Sequence, residues 1–337
     1  MKAMVLAKQT PIEERPLELA DLPKPAPDAN QILVKISVCG ACHTDLDEAE
    51  GRVKPYKLPI VPGHQVVGTV AQKGKAVTKF NIGERAGITW LYWSCGTCGF
   101  CHSGLENLCE KAKWTGKDAD GGYAEYMVIS EDFAFKLPEK FTDSQAAPLL
   151  CAGVIGYRTL RLAEVTDGES IGLFGFGASA HIVIQIIKYK YPKSEVFVFT
   201  KTAEHAELAK SLGAVWTGLS GDKPPSKLNK IMDFTPAGEC VRDGLGVLDR
   251  GGRLIINAIR KETPVPPLDY AKYLWLEREI KSVANVTRRD AEEFLPLAAQ
   301  IPIVPTIEEF PLTEANEALL AIKQSKLRAA AVLRISE

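Results

Sequence analysis

The chain has 337 residues, 46% of them hydrophobic and 25% charged, with a formal net charge of −1. That length suits two domains better than one core, and the composition is that of a folded protein rather than a disordered one. A near-zero charge lacks the basic excess of a nucleic-acid binder, and no run approaches the roughly 20 apolar residues of a membrane span. The opening apolar run is too short for a signal peptide, so a soluble cytoplasmic protein is expected.

The first 150 residues read as β-rich. Short apolar runs ("QILVKISV", "QVVGTVAQ", "RAGITWLYW", "YAEYMVI") are separated by Gly, Pro and Asp turns, as in a small barrel or sandwich. The first run leads into "CGACHTDLDEAEG" at 39–51, which holds two cysteines, a histidine, a threonine and several acids. A metal site, a thiol nucleophile and a packed turn are all open for such a stretch.

Eight cysteines occur, at 39, 42, 95, 98, 101, 109, 151 and 240. Cys95, Cys98, Cys101 and Cys109 are clustered, and Gly96, Gly99 and Gly104 between them allow the backbone to curl. In a reducing compartment such clustering indicates metal binding rather than disulfides. Four thiolates close a tetrahedral zinc at about 2.3 Å and leave no open position, so a zinc here would be structural. An iron–sulfur cluster and a nucleic-acid-binding zinc ribbon are the competing readings, the latter without its usual basic surroundings. Taken singly, Cys42, His64 in "VPGHQVVG" and Cys151 in "PLLCAGVIGY" are ordinary packed residues, and spacing alone does not join them.

After Pro148 the pattern changes. "SIGLFGFGASAHIVIQIIKYK" is an apolar strand, a glycine turn and a helix. "EVFVFT" is a second strand, followed by the helix "AEHAELAKSLGA". "NKIMDFT", "GGRLIINAI" and "EIKSVAN" read as further strands, with "GECVRDGLGVLDR" helical. Apolar strands alternating with helices predict a doubly wound parallel sheet. Gly175, Phe176, Gly177, Ala178, Ser179 and Ala180 form G-x-G-x-x-A in the required strand–turn–helix context. Gly175 permits the turn, Gly177 lets the backbone approach a pyrophosphate at the helix N-terminus, and Ala180 allows close packing. From Thr287 the chain turns helical and charged, closing with the strand-like "AAAVLRI".

"CGACHTDL", "VPGHQVVG", "CGTCGFCHSGLENLC", "GGYAEYMVI", "LLCAGVIGYR" and "GFGASAH" recur in this order in the zinc-containing medium-chain alcohol dehydrogenases, which the chain resembles over essentially its full length. The resemblance implies an α/β protein: a GroES-like β-rich catalytic domain with a structural-zinc lobe at 1–150, a Rossmann cofactor domain at 151–286, and a return to the catalytic domain at 287–337. It implies two zincs per subunit, reversible oxidation of primary alcohols to aldehydes with a nicotinamide cofactor, and a homo-oligomer, dimer or tetramer. The catalytic zinc ligands are then Cys42, His64 and Cys151, and Cys39 is a core residue. Thr44 matches the hydroxyl that bonds the alcohol and starts the proton relay. Asp45 matches the acid that orients the zinc-bound histidine, and His43 a pyrophosphate contact. Trp90 narrows the substrate pocket. Polyol, formaldehyde and cinnamyl-type dehydrogenases are the nearest rivals; a zinc-free reductase of the same fold would lack the three ligands.

Three departures from the family pattern stand out: Gln65 where Glu is common, Ala330 in place of an Arg with Arg328 nearby, and Asp47 where many relatives carry His. Asp47 either takes the outer place in the proton relay or merely faces solvent. Thr200 and Lys201 stand where NAD-binding units carry an acid for the ribose hydroxyl. That favours NADP(H), with NAD(H) also open.

Overall fold

Apolar residues recur along Gln31–Ala41 so densely that the strand is buried on both faces over much of its length. This strand is the axis of the first of two units into which the chain divides. The computed structural model describes residues 1–301, 303, 305–324, 326, 327 and 330–336. The first unit comprises Met1–Cys151, Val286–Ala299 and Val304–Glu337, the second Ala152–Asn285 and Gln300–Ile303. Cys151 therefore falls in the first unit and Gln300–Ile303 in the second.

In the first unit the sheet runs Ile307–Pro311, Ala330–Arg334, Gln31–Ala41, Gln65–Lys73, Arg85–Ile88, Ala134–Lys136. The long strand has two partners along one edge. Tyr126–Ser130 pairs with its first half, Gln31–Lys35, and Ala330–Arg334 pairs antiparallel with Val38–Ala41. Ile32, Val34, Ile36 and Cys39 enter one core with Val66, Phe80, Ile88 and Leu333. Truncating such a buried aliphatic residue to alanine costs about 2–5 kcal/mol. The chain leaves the strand directly into helix α1, His43–Ala49, capped by Cys42.

In the second unit the parallel sheet has the order Ala214–Gly218, Glu195–Phe199, Ser170–Phe174, Leu228–Asp233, Leu248–Ile256, Glu279–Ser282. In chain order this is 3-2-1-4-5-6, the Rossmann arrangement. Ile171, Leu173, Val196, Val198, Ile231 and Leu254 are fully covered, as a sheet with helices on both faces requires. Several strands escape the sequence reading, among them Lys2–Leu6, Leu17–Asp21 and Ala134–Lys136, and two others show why. Ala214–Gly218 is short and half-buried, and Ile307–Pro311 in the first unit is acidic and mostly exposed, so neither shows an apolar run. The strand Leu248–Ile256 also begins earlier than read, taking residues assigned to the preceding helix.

Candidate active site

The four clustered cysteines come together. Their sulfurs lie within 4.8 Å of one another, with Cys95 to Cys101 at 3.9 Å and Cys98 to Cys101 at 3.6 Å. Sulfurs around one tetrahedral zinc stand about 3.8 Å apart, so the quartet fits that ion. Gly96 and Gly104 take left-handed backbone (φ +69° and +71°) and make the curl; Gly99 does not, and opens the helical turn Gly99–His102. Hydrogen bonds from the Thr97 N–H and hydroxyl hold Cys95 down to about 5. Cys98 is pushed up to about 11: a bond from the Cys101 N–H opposes the shift, but burial and proton sharing with Cys101, Cys95 and Cys109 outweigh it. Buried Glu106 accepts from the N–H and Nε of Arg288, at 2.9 and 3.2 Å, and anchors this lobe.

The three dispersed candidate ligands also converge. Cys42, His64 and Cys151 place their donor atoms within 4.8 Å of one another. Cys42 Sγ lies 3.5 Å from His64 Nε2, against about 3.6 Å expected across a tetrahedral zinc. Each ligand is positioned by different means. Cys42 ends the long strand and caps α1, its Sγ accepting the Thr44 N–H at 3.4 Å. Asp45 accepts the Cys42 N–H at 2.8 Å with one oxygen and faces His64 Nδ1 at 3.1 Å with the other. That bond places the ring proton on Nδ1 and turns Nε2 toward the sulfurs. Cys151 sits on a π-helical turn, Leu149–Gly153, after the helix Asp143–Pro148. Arg85 and Ser37 tie that helix to the sheet through Asp143. A hydrogen bond with Cys151, burial, and the Cys151 and Asp45 charges push the Cys42 thiol well above its usual value. A cation at the centre reverses that balance, so the donor set suits a soft divalent ion.

Trp90 is buried beside His64, ring centroids 5.8 Å apart, and packs on Trp114 at 4.9 Å. Thr44 is half-buried and His43 exposed on the first turn of α1. In the second unit Gly175 has φ +80° and donates its N–H to Phe199, while Gly177 caps the helix Ala178–Lys190. Nothing lies within 4 Å of where a Gly177 Cβ would point, which leaves the backbone open to a pyrophosphate. Phe176 and Ala180 are buried, Ala178 and Ser179 begin the helix, and Thr200 and exposed Lys201 follow the neighbouring strand.

The GroES-like domain of alcohol dehydrogenases matches residues 28–139. The chain is similar to "Probable alcohol dehydrogenase AdhA" of Mycobacterium tuberculosis, at 42% identity with 99% of this chain and 97% of that one covered. An alcohol dehydrogenase of Geobacillus stearothermophilus is 32% identical, with 96% and 97% covered. The solved structure of an NAD-dependent alcohol dehydrogenase superposes at a TM-score of 0.90 and 23% identity, covering 100% of both chains, and supports the fold. The chain belongs to the zinc-dependent medium-chain alcohol dehydrogenases.

Against the pattern of this dehydrogenase family, the departures take the following places. Gln65 is buried at the start of its strand, and its Nε2 has no hydrogen-bond partner among the described residues. Ala330 lies one residue beyond the Ala331–Ala41 pair, at the strand end that leads to Cys42. Arg328 lies outside the described residues. Asp47 does not face solvent: it is 3% exposed and its Oδ1 accepts from Arg52 Nε at 2.5 Å. Arg52 also pairs with Glu50, which pairs with Lys323. The sequence reading passes over Glu48. It is 1% exposed on α1, and neither carboxyl oxygen has a hydrogen-bond partner among the described residues. Its spacing from Thr44 and Asp45, four and three residues on one helix, was the available signal.

Proposed function

We propose that this dehydrogenase interconverts primary alcohols and aldehydes, with a catalytic zinc on Cys42, His64 and Cys151 and a structural zinc on Cys95, Cys98, Cys101 and Cys109. The observation that carries the reading is the contrast in donor sets. Four sulfurs close one site, while two sulfurs and one imidazole leave the other with a position for substrate. When bound, zinc at the three-ligand site supplies a Lewis acid toward the alcohol oxygen, and the nicotinamide accepts the hydride. The chain's own residues do the rest. Asp45 holds His64 in the tautomer that offers Nε2. Thr44 accepts the alcohol's hydroxyl proton at its Oγ1 and passes it on. Trp90 limits the room beside His64 and favours small substrates. The 175–180 turn and His43 bind the cofactor pyrophosphate. With Asp47 paired to Arg52, water serves as the outer proton carrier.

Lys201 and Thr200 support NADP(H) over NAD(H): no carboxylate there opposes a 2′-phosphate, and the exposed ammonium attracts it. The resemblance also supports a cytoplasmic homo-oligomer, dimer or tetramer. Among the described residues no helix is long and apolar enough to cross a membrane. The test is a kinetic panel of primary alcohols, aldehydes, polyols and cinnamyl alcohol with both cofactors, alongside zinc content. Two zincs per chain, the highest kcat/KM for small primary alcohols, and a preference for NADP lost in Lys201→Ala are expected. One zinc or none in fully active protein overturns the metal assignment, and a better polyol substrate overturns the substrate class.

A further inference from the structure

Positions three and four apart stack along a helix, so Thr44, Asp45 and Glu48 share one face of α1. On that face Asp45 holds two donors, the Cys42 N–H and His64 Nδ1. Glu48 follows one turn later, 1% exposed, with both oxygens buried and without a hydrogen-bond partner among the described residues. An ionised carboxylate there would lose its hydration with no donor in exchange. Two like charges one turn apart also repel, so the acid with donors carries the charge and the other keeps its proton. Burial first, then the Asp45 charge, push Glu48 up to about 8; His64 and Lys117 pull the other way and Asp118 adds to the push. Tyr123 also senses Glu48, and its hydroxyl is likewise buried without a partner among the described residues.

We propose that Glu48 is a neutral carboxylic acid standing behind the Asp45–His64 pair, a positioning residue that sets how strongly Asp45 drives His64 as a metal ligand. This rests on the reading of Cys42, His64 and Cys151 as the metal site. While Glu48 keeps its proton, Asp45 is the one charge on that face of α1. When the proton leaves to alkaline solvent, a second negative charge arrives there and His64 becomes a stronger donor through Nε2. The site then grips its metal more tightly and polarises the substrate oxygen less.

The test compares the zinc-loaded wild type with Glu48→Gln, which keeps the shape of the neutral acid, between pH 6.5 and 9.5. Zinc release to a chelating dye is followed along with the infrared carbonyl band of a protonated carboxylic acid. We expect the ratio of Glu48→Gln to wild-type release rates to rise about threefold to tenfold as pH passes the Glu48 midpoint. The protonated-acid band should be present in the wild type at pH 6.5, fade with rising pH, and be missing from Glu48→Gln. Glu48→Met, a second neutral variant, should behave like Glu48→Gln in both respects. A ratio independent of pH would overturn the tuning role. A wild-type spectrum without the band would overturn the neutral acid itself. The band needs no metal, so recording it in zinc-free protein separates a failure of the metal reading from a failure of the Glu48 assignment.

Discussion

The two cysteine-bearing sites differ in how the chain builds them. The quartet is local: one curled segment with two left-handed glycines supplies every sulfur, and buried Glu106, paired with half-buried Arg288, fastens it. The triad is assembled from afar: one ligand from a strand end, one from the loop before the next strand, one from a π-helical turn. A local site exchanges ion binding for order in its own segment, so its loss is a loss of structure. A dispersed site is held in place by the sheet, so its loss leaves the sheet standing and removes the chemistry.

That contrast can be broken directly. Cys42→Ser or Cys151→Ser should lower kcat/KM by on the order of a thousandfold or more, with little change in the melting midpoint followed by circular dichroism. Cys101→Ser should do the reverse: the midpoint falls by on the order of 10 °C, while turnover per folded molecule changes less than about threefold. Equal damage to both properties in both variants would erase the distinction.

Subtler changes sharpen it. Thr44→Ala should slow single-turnover hydride transfer by about a hundredfold. Asp45→Asn should weaken zinc binding at the triad by about 10- to 100-fold in chelator competition and leave the quartet's zinc in place. Glu48 predicts a pH effect on stability of definite sign. Its folded value, about 8, lies above its ordinary 4.5. The stability it contributes is therefore full below about pH 4.5 and is lost as pH climbs toward about 8. Glu48→Gln should flatten that decline in melting midpoints taken from pH 5 to 9. Asp47→Asn should do least, changing hydride transfer by less than about threefold, since Asp47 already spends its charge on Arg52. A loss comparable to that of Thr44→Ala would restore Asp47 to the proton path.

What was legible in the sequence follows from the same contrast. The quartet and the glycine turn announce themselves, because each places all its chemistry within one short segment. The triad does not: Cys42, His64 and Cys151 were joined by family resemblance, and only the folded strands show them together. Asp47 and Arg52 are five apart, a spacing that no helical rule pairs, so the ion pair was invisible. Glu48 drew no notice, because an acid on a short charged helix normally faces solvent. The strands Ala214–Gly218 and Ile307–Pro311 lie at sheet ends where burial demands little apolar sequence.

The pairing of Ala330–Arg334 with Val38–Ala41 has a consequence for the order of events during synthesis. The strand that delivers Cys42 is made early, and so is Gln65–Lys73 on one side of its final residues, yet their neighbour on the other side emerges only after nearly all the intervening chain, the whole cofactor-binding sheet included. Contacts so far apart in sequence form late and slowly. The quartet can capture its ion while the ribosome is still at work; the triad acquires a settled frame only once that late strand has docked. The two metals would then be loaded at different times, the one that shapes the protein first and the one that serves the reaction last.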